Sequence, residues 1–333
     1  MKVLRFLLFP ITVLYGMVVW CRNLLFDYGV LKSKSYDFPI IVIGNLSVGG
    51  TGKTPMTAYV LDVLGVTYKT GVLSRGYKRK SEGFVLADNA VTADEIGDEP
   101  YQLYSDFPEA IVAVDADRQH GIATLKEKNT LPEVLILDDA YQHRKVKAGF
   151  YALLTTYDRL YINDFMLPTG NLRDTKNQAK RASCIIVTKC PHYITEEEKA
   201  KVKQKLGANQ PVYFTTISYS DTVVNEHSEI PLKNFKDKAF TLVTGIAKPA
   251  YLVNHLKSEG LQFNHLDFPD HHNFTDKEIA LLAEQECIIT TQKDYVRIKD
   301  KISKVYYLPI KTKFLGAEEA FVNQLHEFIS SYK

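Results

Sequence analysis

The stretch that decides the fold runs from Ile40 to Pro55 and reads IIVIGNLSVGGTGKTP. An apolar, β-branched run typical of a buried strand leads into a glycine-rich turn, and Gly-Lys-Thr then opens a helical stretch. Glycines let backbone N–H groups converge on phosphate oxygens, and the following helix directs its N-terminus at the same anion. In such a loop Lys53 reaches the β- and γ-phosphates, and the Thr54 hydroxyl binds Mg²⁺. The stretch therefore predicts a site for ATP and Mg²⁺.

The turn departs from the strict pattern GxxxxGK[ST], because Ser47 stands where the first glycine is expected. Gly49 and Gly50 can supply the flexibility instead. A plain turn between a strand and a helix is the alternative, but it leaves Lys53 unexplained, since a cation at a helix N-terminus opposes the helix dipole unless an anion is present. The residues predicted to contact the nucleotide are Ser47, Val48, Gly49, Gly50, Thr51, Gly52, Lys53 and Thr54.

A second apolar run, Val134–Leu137, ends in the paired carboxylates Asp138 and Asp139. In nucleotide-binding folds, an acid at the end of a neighbouring strand reaches Mg²⁺ directly or through water. An acid in this position is also common in ordinary loops. Together with the loop, the run predicts that Thr54, Asp138 and Asp139 hold the metal, and the sequence leaves open which aspartate lies nearer to it.

The rest of the chain alternates short β-branched runs with amphipathic stretches, which is the pattern of parallel α/β units. It predicts an α/β/α sandwich of the P-loop NTPase type, with a mostly parallel sheet, over residues 31–217. The polar stretch 218–238 is predicted to be a linker, and 239–333 a smaller C-terminal α/β domain. The strands predicted for the first domain are Ile40–Gly44, Thr70–Leu73, Ile111–Val114, Val134–Leu137, Tyr151–Thr155, Cys184–Val187 and Val212–Thr216.

The N-terminal region, residues 1–30, contains an uncharged run from Phe6 to Trp20. A helix that spans a bilayer needs about twenty apolar residues, and this run is shorter and is interrupted by Pro10. Two alternatives remain: a helix that lies in one leaflet, and a helix packed on the protein's own core. Trp20 and Arg22 at its end favour the membrane surface.

The overall composition excludes several classes of protein. Of the 333 residues, 45% are hydrophobic and 24% are charged, which is ordinary for a globular chain and not for a disordered or multispanning one. The 41 basic and 39 acidic residues nearly balance, so no nucleic-acid partner is predicted. Four cysteines without a CxxC pair predict reduced thiols.

Polar clusters follow several of the predicted strands, where ligands of open parallel sheets bind. Each cluster alone is compatible with a helix cap or a solvated loop, but clustering at these positions is expected of a ligand site. If the nucleotide serves a kinase, the site needs a base near the acceptor hydroxyl and cations around the transferring group. The clusters are Ser74-Arg75-Gly76-Tyr77, Gly97-Asp98-Glu99-Pro100, Asp117-Arg118, Asp139 to His143, Pro168 to Asp174, and Asp270-His271-His272.

Taken in order, these motifs resemble the tetraacyldisaccharide 4'-kinase (lipid A 4'-kinase) family. The motifs are GNLSVGGTGKTP, SRGY, GDEP, DR, DDAYQH, PTGNLRD, GIAKP, FPDHH and TQKD. The resemblance implies transfer of the γ-phosphate of ATP to the 4'-hydroxyl of an acylated glucosamine disaccharide 1-phosphate, giving the 1,4'-bisphosphate and ADP. It also implies an N-terminal helix on the cytoplasmic face of the bacterial inner membrane, and a C-terminal domain that closes on the substrate. No obligate protein partner is predicted.

The resemblance also assigns roles to individual residues. It makes Asp98 the base toward the sugar hydroxyl and His271 its partner, while Lys53 acts on the phosphates. One departure is Ala140, where the family usually has glycine. Substrate contacts are expected from the remaining polar motif positions, which are Arg75, Glu99, Arg118, Gln142, His143, Arg173 and Asp270.

Two other functions fit part of the sequence. A P-loop ATPase that acts as a switch or assembly factor would explain Lys53, Thr54 and Asp138, but it needs neither the apolar N-terminal run nor the Asp–His pair. The other function is that of a soluble small-molecule kinase whose N-terminal helix is structural. Acceptor-dependent release of ADP separates a kinase from a switch, and dependence on vesicles separates a lipid kinase from a soluble one.

Overall fold

The apolar runs predicted as strands are strands in the computed structural model, which describes residues 5–270 and 272–332. The strands are β1 (Ile40–Asn45), β2 (Thr70–Ser74), β3 (Val85–Leu86), β4 (Ile111–Val114), β5 (Val134–Asp138), β6 (Phe150–Thr156), β7 (Cys184–Thr188), β8 (Val212–Tyr219), β9 (Thr222–Val224), β10 (Glu229–Pro231), β11 (Phe240–Thr244), β12 (Phe263–Asp267), β13 (Ile288–Thr290), β14 (Val305–Tyr307) and β15 (Ile310–Phe314). The helices are α1 (Phe9–Asp27), α2 (Lys53–Gly65), α3 (Ala93–Ile96), α4 (Asp98–Asp106), α5 (Arg118–Glu127), α6 (Glu196–Leu206), α7 (Ala250–Ser258), α8 (Asp276–Ala283), α9 (Gln292–Ile298) and α10 (Glu318–Ser330).

The chain divides into two units. The first consists of Met1–Ile217 and Thr312–Lys333, and the second of Ser218–Lys311. The boundaries fall inside β8 and inside β15. The sequence predicts residues 1–30 as a separate N-terminal region. In the structure this region is part of the first unit.

The first unit is built on a nine-stranded sheet with the order β15-β8-β7-β6-β1-β5-β2-β4-β3. The pairs from β8 to β4 are parallel, and β3 pairs with β4 in the antiparallel direction. β1 lies in the middle, and all of its residues are buried. Ile40 and Val42 pack in the core on one face, and Ile41 and Ile43 in the core on the other. This strand is continuously apolar because both faces of the sheet are covered.

The last helix belongs to the first unit, and the prediction of a C-terminal domain over 239–333 is wrong in this respect. The buried stripe of α10 consists of Phe321, Leu325 and Ile329, and it packs in the same core as Ile41. An amphipathic stripe predicts a helix, but it does not say which of two sheets the helix covers.

The second unit has a six-stranded sheet with the order β10-β9-β14-β13-β11-β12. β9 and β10 form an antiparallel edge to its parallel strands, so the predicted linker 218–238 is wrong, and this stretch is part of the unit. Val223, Leu232 and Phe235 of the stretch are buried in the core of the unit. Strands of three residues, separated by polar turns, are too short for a periodic pattern to reveal them.

The N-terminal helix α1 shows an inverted distribution of polar and apolar residues. By length and composition its 19 residues could cross a membrane. Its buried residues are Thr12 and Asn23, whereas Leu14 and Val18 are 62% and 68% exposed. A helix on a globular domain usually buries its apolar side. In α1 the polar side faces the protein.

We expect Phe321→Ala to lower the free energy of unfolding of the first unit by about 3–5 kcal/mol, because it leaves a cavity in a closed core. The Phe321 side chain is fully buried and contacts the rings of Tyr213 and Phe314. Chemical denaturation measures the change. The matched control is Glu319→Ala, at an exposed position of the same helix, which should stay within about 0.5 kcal/mol of the wild type. Equal effects of the two substitutions would contradict the packing of α10 on this sheet.

Candidate active site

The loop after β1 is held in place by hydrogen bonds along its length. The Val48 N–H donates to the Asn171 carbonyl at 2.7 Å. The Asn45 side-chain amide donates to the Thr51 hydroxyl at 2.7 Å, and the Thr188 hydroxyl donates to the Thr51 carbonyl, also at 2.7 Å. The loop is therefore ordered by protein contacts.

Two glycines give the loop its shape. Gly49 and Gly52 have φ angles of +104° and +86°, in the left-handed region that favours glycine. Gly50 and Ser47 do not have a positive φ, so the serine at position 47 is compatible with the backbone. Gly52 is the N-cap of α2, and no side chain caps this end of the helix. Its first N–H groups are thereby left for an anion.

Parallel pairing brings the loop beside the two carboxylates. In the pairing of β1 with β5, Ile43 lies opposite Asp138, so both strands end at the same edge of the sheet. The Lys53 ammonium lies 3.7 Å from Asp139 Oδ1. Thr54, the next residue of α2, is buried. The structure thus brings Lys53, Thr54, Asp138 and Asp139 together, as the sequence predicts.

Asp139 is held as a carboxylate by cations. Arg173 Nη2 donates to its Oδ1 at 2.6 Å, and Arg173 Nη1 donates to its Oδ2 at 3.3 Å. Burial alone would raise the pKa of Asp139, but Lys53 and Arg173 outweigh burial and lower its pKa below the usual range. Asp139 is therefore ionised at neutral pH, forms hydrogen bonds with Arg173 and forms an ion pair with Lys53.

Asp138 is in a different environment. It is 1% exposed, and its oxygens accept hydrogen bonds from the Thr57 and Ser74 hydroxyls at 3.2 and 3.3 Å. Burial raises the pKa of Asp138 to about 6, and the charges of Glu99 and Asp139 add to this. A buried carboxylate among other acids favours the arrival of a cation.

The residue Asn45, which the sequence reasoning missed, connects several parts of the site. Its side chain donates to Thr51, and its Oδ1 accepts from Arg173 Nη2 at 2.5 Å. Its backbone carbonyl accepts from Gln142 Nε2 at 2.7 Å. The only signal for it in the sequence is its position at the end of the strand that precedes the loop.

Arg118 and His143 lie in the same part of the first unit. Arg118 is 2% exposed and donates to the backbone carbonyls of Asp115 and Asp138, at 2.5 and 3.1 Å. It therefore joins the ends of β4 and β5, and little of it remains open to a substrate. Burial, with a contribution from Arg118, lowers the pKa of His143 to about 4, so that this histidine is neutral at pH 7. Within the described residues, its Nε2 is buried without a hydrogen-bond partner.

The predicted base Asp98 begins the helix α4, and a helix start here is one alternative that the sequence leaves open for this motif. It is half-buried at the first position of α4, after Gly97, whose φ is +92°. A Cβ at Gly97 would lie 3.1 Å from the Tyr77 carbonyl, so only glycine lets the Gly97–Pro100 motif pack closely on the loop after β2. The adjacent Glu99 is near enough to affect the pKa of Asp138.

The loop after β2 lines a cleft of about 500 Å³. Arg75, Lys78 and Arg79 are among its lining residues, and Arg75 is exposed. Because Glu82 is the one acid among the described lining residues, the lining carries a net positive charge, on the side of the first unit where Asp98 lies.

The predicted partner of Asp98, His271, lies outside the described residues. Asp270 is in the second unit, after β12. Two residues after Asp270, the His272 ring stacks on Phe268, and the His272 Nε2 lies 3.0 Å from Glu278 Oε2. The pairing of Asp98 with His271 stays a prediction.

Comparison with known proteins places the chain in a family. Residues 4–330 match the model of the LpxK family, described as Tetraacyldisaccharide-1-P 4'-kinase. The chain belongs to this family. A tetraacyldisaccharide 4'-kinase of Flavobacterium johnsoniae is 49% identical over 99% of this chain and 98% of its own length. A tetraacyldisaccharide 4'-kinase of Phocaeicola vulgatus is 43% identical over 95% of this chain and 92% of its own length.

A crystal structure of LpxK from Aquifex aeolicus in complex with ATP is similar to nearly the whole length of this chain. Its TM-score is 0.82 at 31% identity, and the match covers 98% of this chain and 99% of that one. These matches confirm the predicted family, the P-loop fold class and the predicted function as a lipid A 4'-kinase.

The departure from the family pattern at Ala140 has no backbone cost. Asp139, just before it, has a φ of +47°, whereas Ala140 is not among the residues with positive φ. The left-handed residue of this turn is an aspartate, which tolerates that conformation better than most side chains. A methyl group at position 140 is therefore compatible with the turn.

We expect Gly52→Ala to destabilise the first unit by about 1–2 kcal/mol, because a Cβ is strained at a left-handed φ. The matched control is Gly50→Ala, where φ is not positive and the nearest atom to a Cβ, Lys189 Nζ, is 3.8 Å away. It should stay within about 0.5 kcal/mol of the wild type. Denaturation without nucleotide measures both. Equal stability of the two variants would contradict the loop conformation described above.

Proposed function

We propose that the chain binds ATP with Mg²⁺ and transfers its γ-phosphate to the 4'-hydroxyl of an acylated glucosamine disaccharide 1-phosphate, releasing ADP. The observation that carries the proposal is the position of Lys53 and Asp139 beside an uncapped helix N-terminus, in the loop between β1 and α2. The ATP complex of the related LpxK supports ATP as the donor.

Lys53 is the cation proposed for the β- and γ-phosphates. It is held by Asp139, which Arg173 holds in turn. Cations that are already in place stabilise the charge of a transferring phosphoryl group without reorganising in the transition state. The backbone N–H groups around Gly49 and Gly52 supply further donors for the phosphate oxygens.

Thr54 and Asp138 are the residues proposed for Mg²⁺. In the described part of the chain no group of three or more His, Cys, Asp or Glu could hold a metal, so the cation needs oxygen atoms of the phosphates as well. Both oxygens of Asp139 accept hydrogen bonds from Arg173, whereas those of Asp138 accept, within residues 5–270 and 272–332, from the hydroxyls of Thr57 and Ser74. Asp138 is therefore the aspartate with capacity for a metal, and Asp139 is the one that orients the cations.

Asp98 is proposed as the base at the acceptor. As the 4'-oxygen bonds to the γ-phosphorus and the bond to the β-phosphate oxygen breaks, the hydroxyl proton passes to the Asp98 carboxylate. His271 is proposed as the partner that stabilises or relays this proton. The basic cleft beside the Gly97–Pro100 motif suits the phosphate that the acceptor already carries.

We expect Asp98→Asn to lower the rate of phosphate transfer by about 10²- to 10⁴-fold and to leave ATP affinity at the wild-type value, because the carboxylate acts on the acceptor. The assay follows radiolabelled γ-phosphate onto the tetraacyldisaccharide 1-phosphate in detergent micelles with Mg²⁺, and chelation of the metal should stop transfer. The matched control is Asp106→Asn, an exposed acid at the other end of α4, which should transfer normally. Normal transfer by Asp98→Asn would reject the assignment of the base.

The exposed side of α1 is proposed to bind the cytoplasmic face of the bacterial inner membrane as a peripheral contact. Its large apolar side chains, such as Leu14, Met17 and Val18, are uncovered, and Trp20 and Arg22 lie at the end of the run. Helices with aromatic and basic residues beside an apolar face lie in the membrane interface. An acceptor with acyl chains is anchored in such a surface.

We expect the double substitution Leu14→Ser and Val18→Ser to weaken binding to anionic phospholipid vesicles at least tenfold. About 1.5–3 kcal/mol is lost for each large apolar side chain that no longer enters the lipid. Vesicle co-sedimentation measures this, and circular dichroism verifies that the protein is folded. The substitution Val66→Ser, at an exposed apolar position after α2, is the control and should bind normally. Unchanged partitioning of the double variant would favour a purely structural helix.

A further inference from the structure

The polar side of α1 forms hydrogen bonds with the segment 169–174. Asn23 Nδ2 donates to Asp174 Oδ1 at 2.7 Å, and both residues are buried. The Thr12 hydroxyl donates to the Thr169 hydroxyl at 2.7 Å and accepts from the Thr169 N–H at 3.0 Å. The Tyr15 hydroxyl donates to the Arg173 carbonyl at 3.1 Å. These contacts extend along about three turns of the helix.

The contact between Asn23 and Asp174 compensates for a buried carboxylate. A buried carboxylate is costly unless hydrogen bonds compensate for the lost water. Oδ1 of Asp174 accepts from Asn23 and from the Thr175 N–H at 2.8 Å, while its Oδ2 has no hydrogen-bond partner among the described residues. Loss of the Asn23 amide would therefore leave a poorly compensated charge under α1.

The other side of the same segment contacts the glycine-rich loop between β1 and α2, which is the proposed phosphate loop. The Arg173 N–H donates to the Leu46 carbonyl at 2.7 Å, and the Asn171 carbonyl accepts from Val48. The Arg173 guanidinium holds Asp139 and Asn45. The segment thus lies between α1 and the residues that orient Lys53, and all of these contacts are within the first unit.

We propose that α1 is a positioning element for the phosphate site. Through Thr12 and Asn23 it holds the segment 169–174, so that Arg173 keeps Asp139 beside Lys53. The two sides of the helix then have separate roles, because the apolar side contacts lipid and the polar side supports catalysis. This inference rests on the proposed function for its kinetic readout and for the lipid contact of the apolar side. Deletion of α1 would not separate the two roles, because it removes the apolar side and the polar side at once.

Asn23→Ala tests the proposal. We expect kcat for phosphate transfer and the affinity for ATP each to fall about tenfold, which is the effect of losing one buried hydrogen bond to a charged group. Binding to anionic vesicles and the KM for the lipid should not change, because the apolar side is intact. The control Cys21→Ser, at an exposed position of the same helix, should keep the wild-type kcat and ATP affinity.

A double-mutant cycle separates positioning from a general loss of stability. If Asn23 acts through Arg173, Asn23→Ala should cause no further loss of ATP affinity in the Arg173→Ala background. Asp174→Asn, which removes the charge but leaves an amide oxygen to accept from Asn23, should retain most of the affinity. Additive losses, or wild-type kcat and ATP affinity in Asn23→Ala, would overturn the proposal.

Failure of the proposed function would be seen separately. If the wild-type protein transferred no phosphate to the lipid, the kinase assignment would fall. The ATP affinities of the same variants, measured by equilibrium dialysis, would still decide whether α1 positions the phosphate site. A fall in ATP affinity limited to Asn23→Ala and Thr12→Val, with Cys21→Ser unaffected, would support it.

Discussion

The structure of the site depends on the parallel pairing of β1 with β5. In this register Ile43 lies opposite Asp138, so the glycine-rich loop and the paired carboxylates leave the sheet at the same edge. Parallel neighbours need a crossover connection, which is usually a helix lying on a face of the sheet, and here both faces are covered. The continuous burial of β1 and the position of Lys53 near Asp139 are thus two consequences of one constraint.

Charge compensation then gives the two neighbouring aspartates different properties. Asp139 is paired with Arg173 and Lys53, and its pKa is lowered. Asp138 is more deeply buried, accepts from the hydroxyls of Thr57 and Ser74, and has a raised pKa. The same residue type therefore serves as a fixed counter-ion at one position and as a site that favours an incoming cation at the next. The difference comes from the neighbours of each carboxylate, because burial alone raises the pKa of both.

The sequence predicted the strands and helices that a local pattern of residues encodes. It failed for elements that carry no such pattern or that depend on distant contacts. Seven strands of the first sheet were predicted, because runs of β-branched residues buried on both faces are distinctive. The three-residue strands β9 and β10 carry too few residues for a pattern, so 218–238 was predicted as a linker. The helix that begins at Asp98 stayed one alternative beside a plain turn, because it starts directly after a glycine of positive φ and is rich in polar residues. The position of α10 depends on contacts across more than 250 residues of chain, which no local pattern encodes.

By itself, the sequence determined that a strand, a glycine-rich turn and a helix form a phosphate loop, that two acids end a nearby strand, and that the N-terminal segment is apolar. These properties follow from residue type and spacing, which act over a few residues. Only the tertiary structure decided that Arg173 pairs with Asp139, that Asn45 links the loop to Arg173, and that α1 turns Thr12 and Asn23 toward the protein. Each of these three contacts forms because a buried charge or amide needs a hydrogen-bond partner, and that partner comes from a distant part of the chain. Which groups become buried is a property of the whole fold.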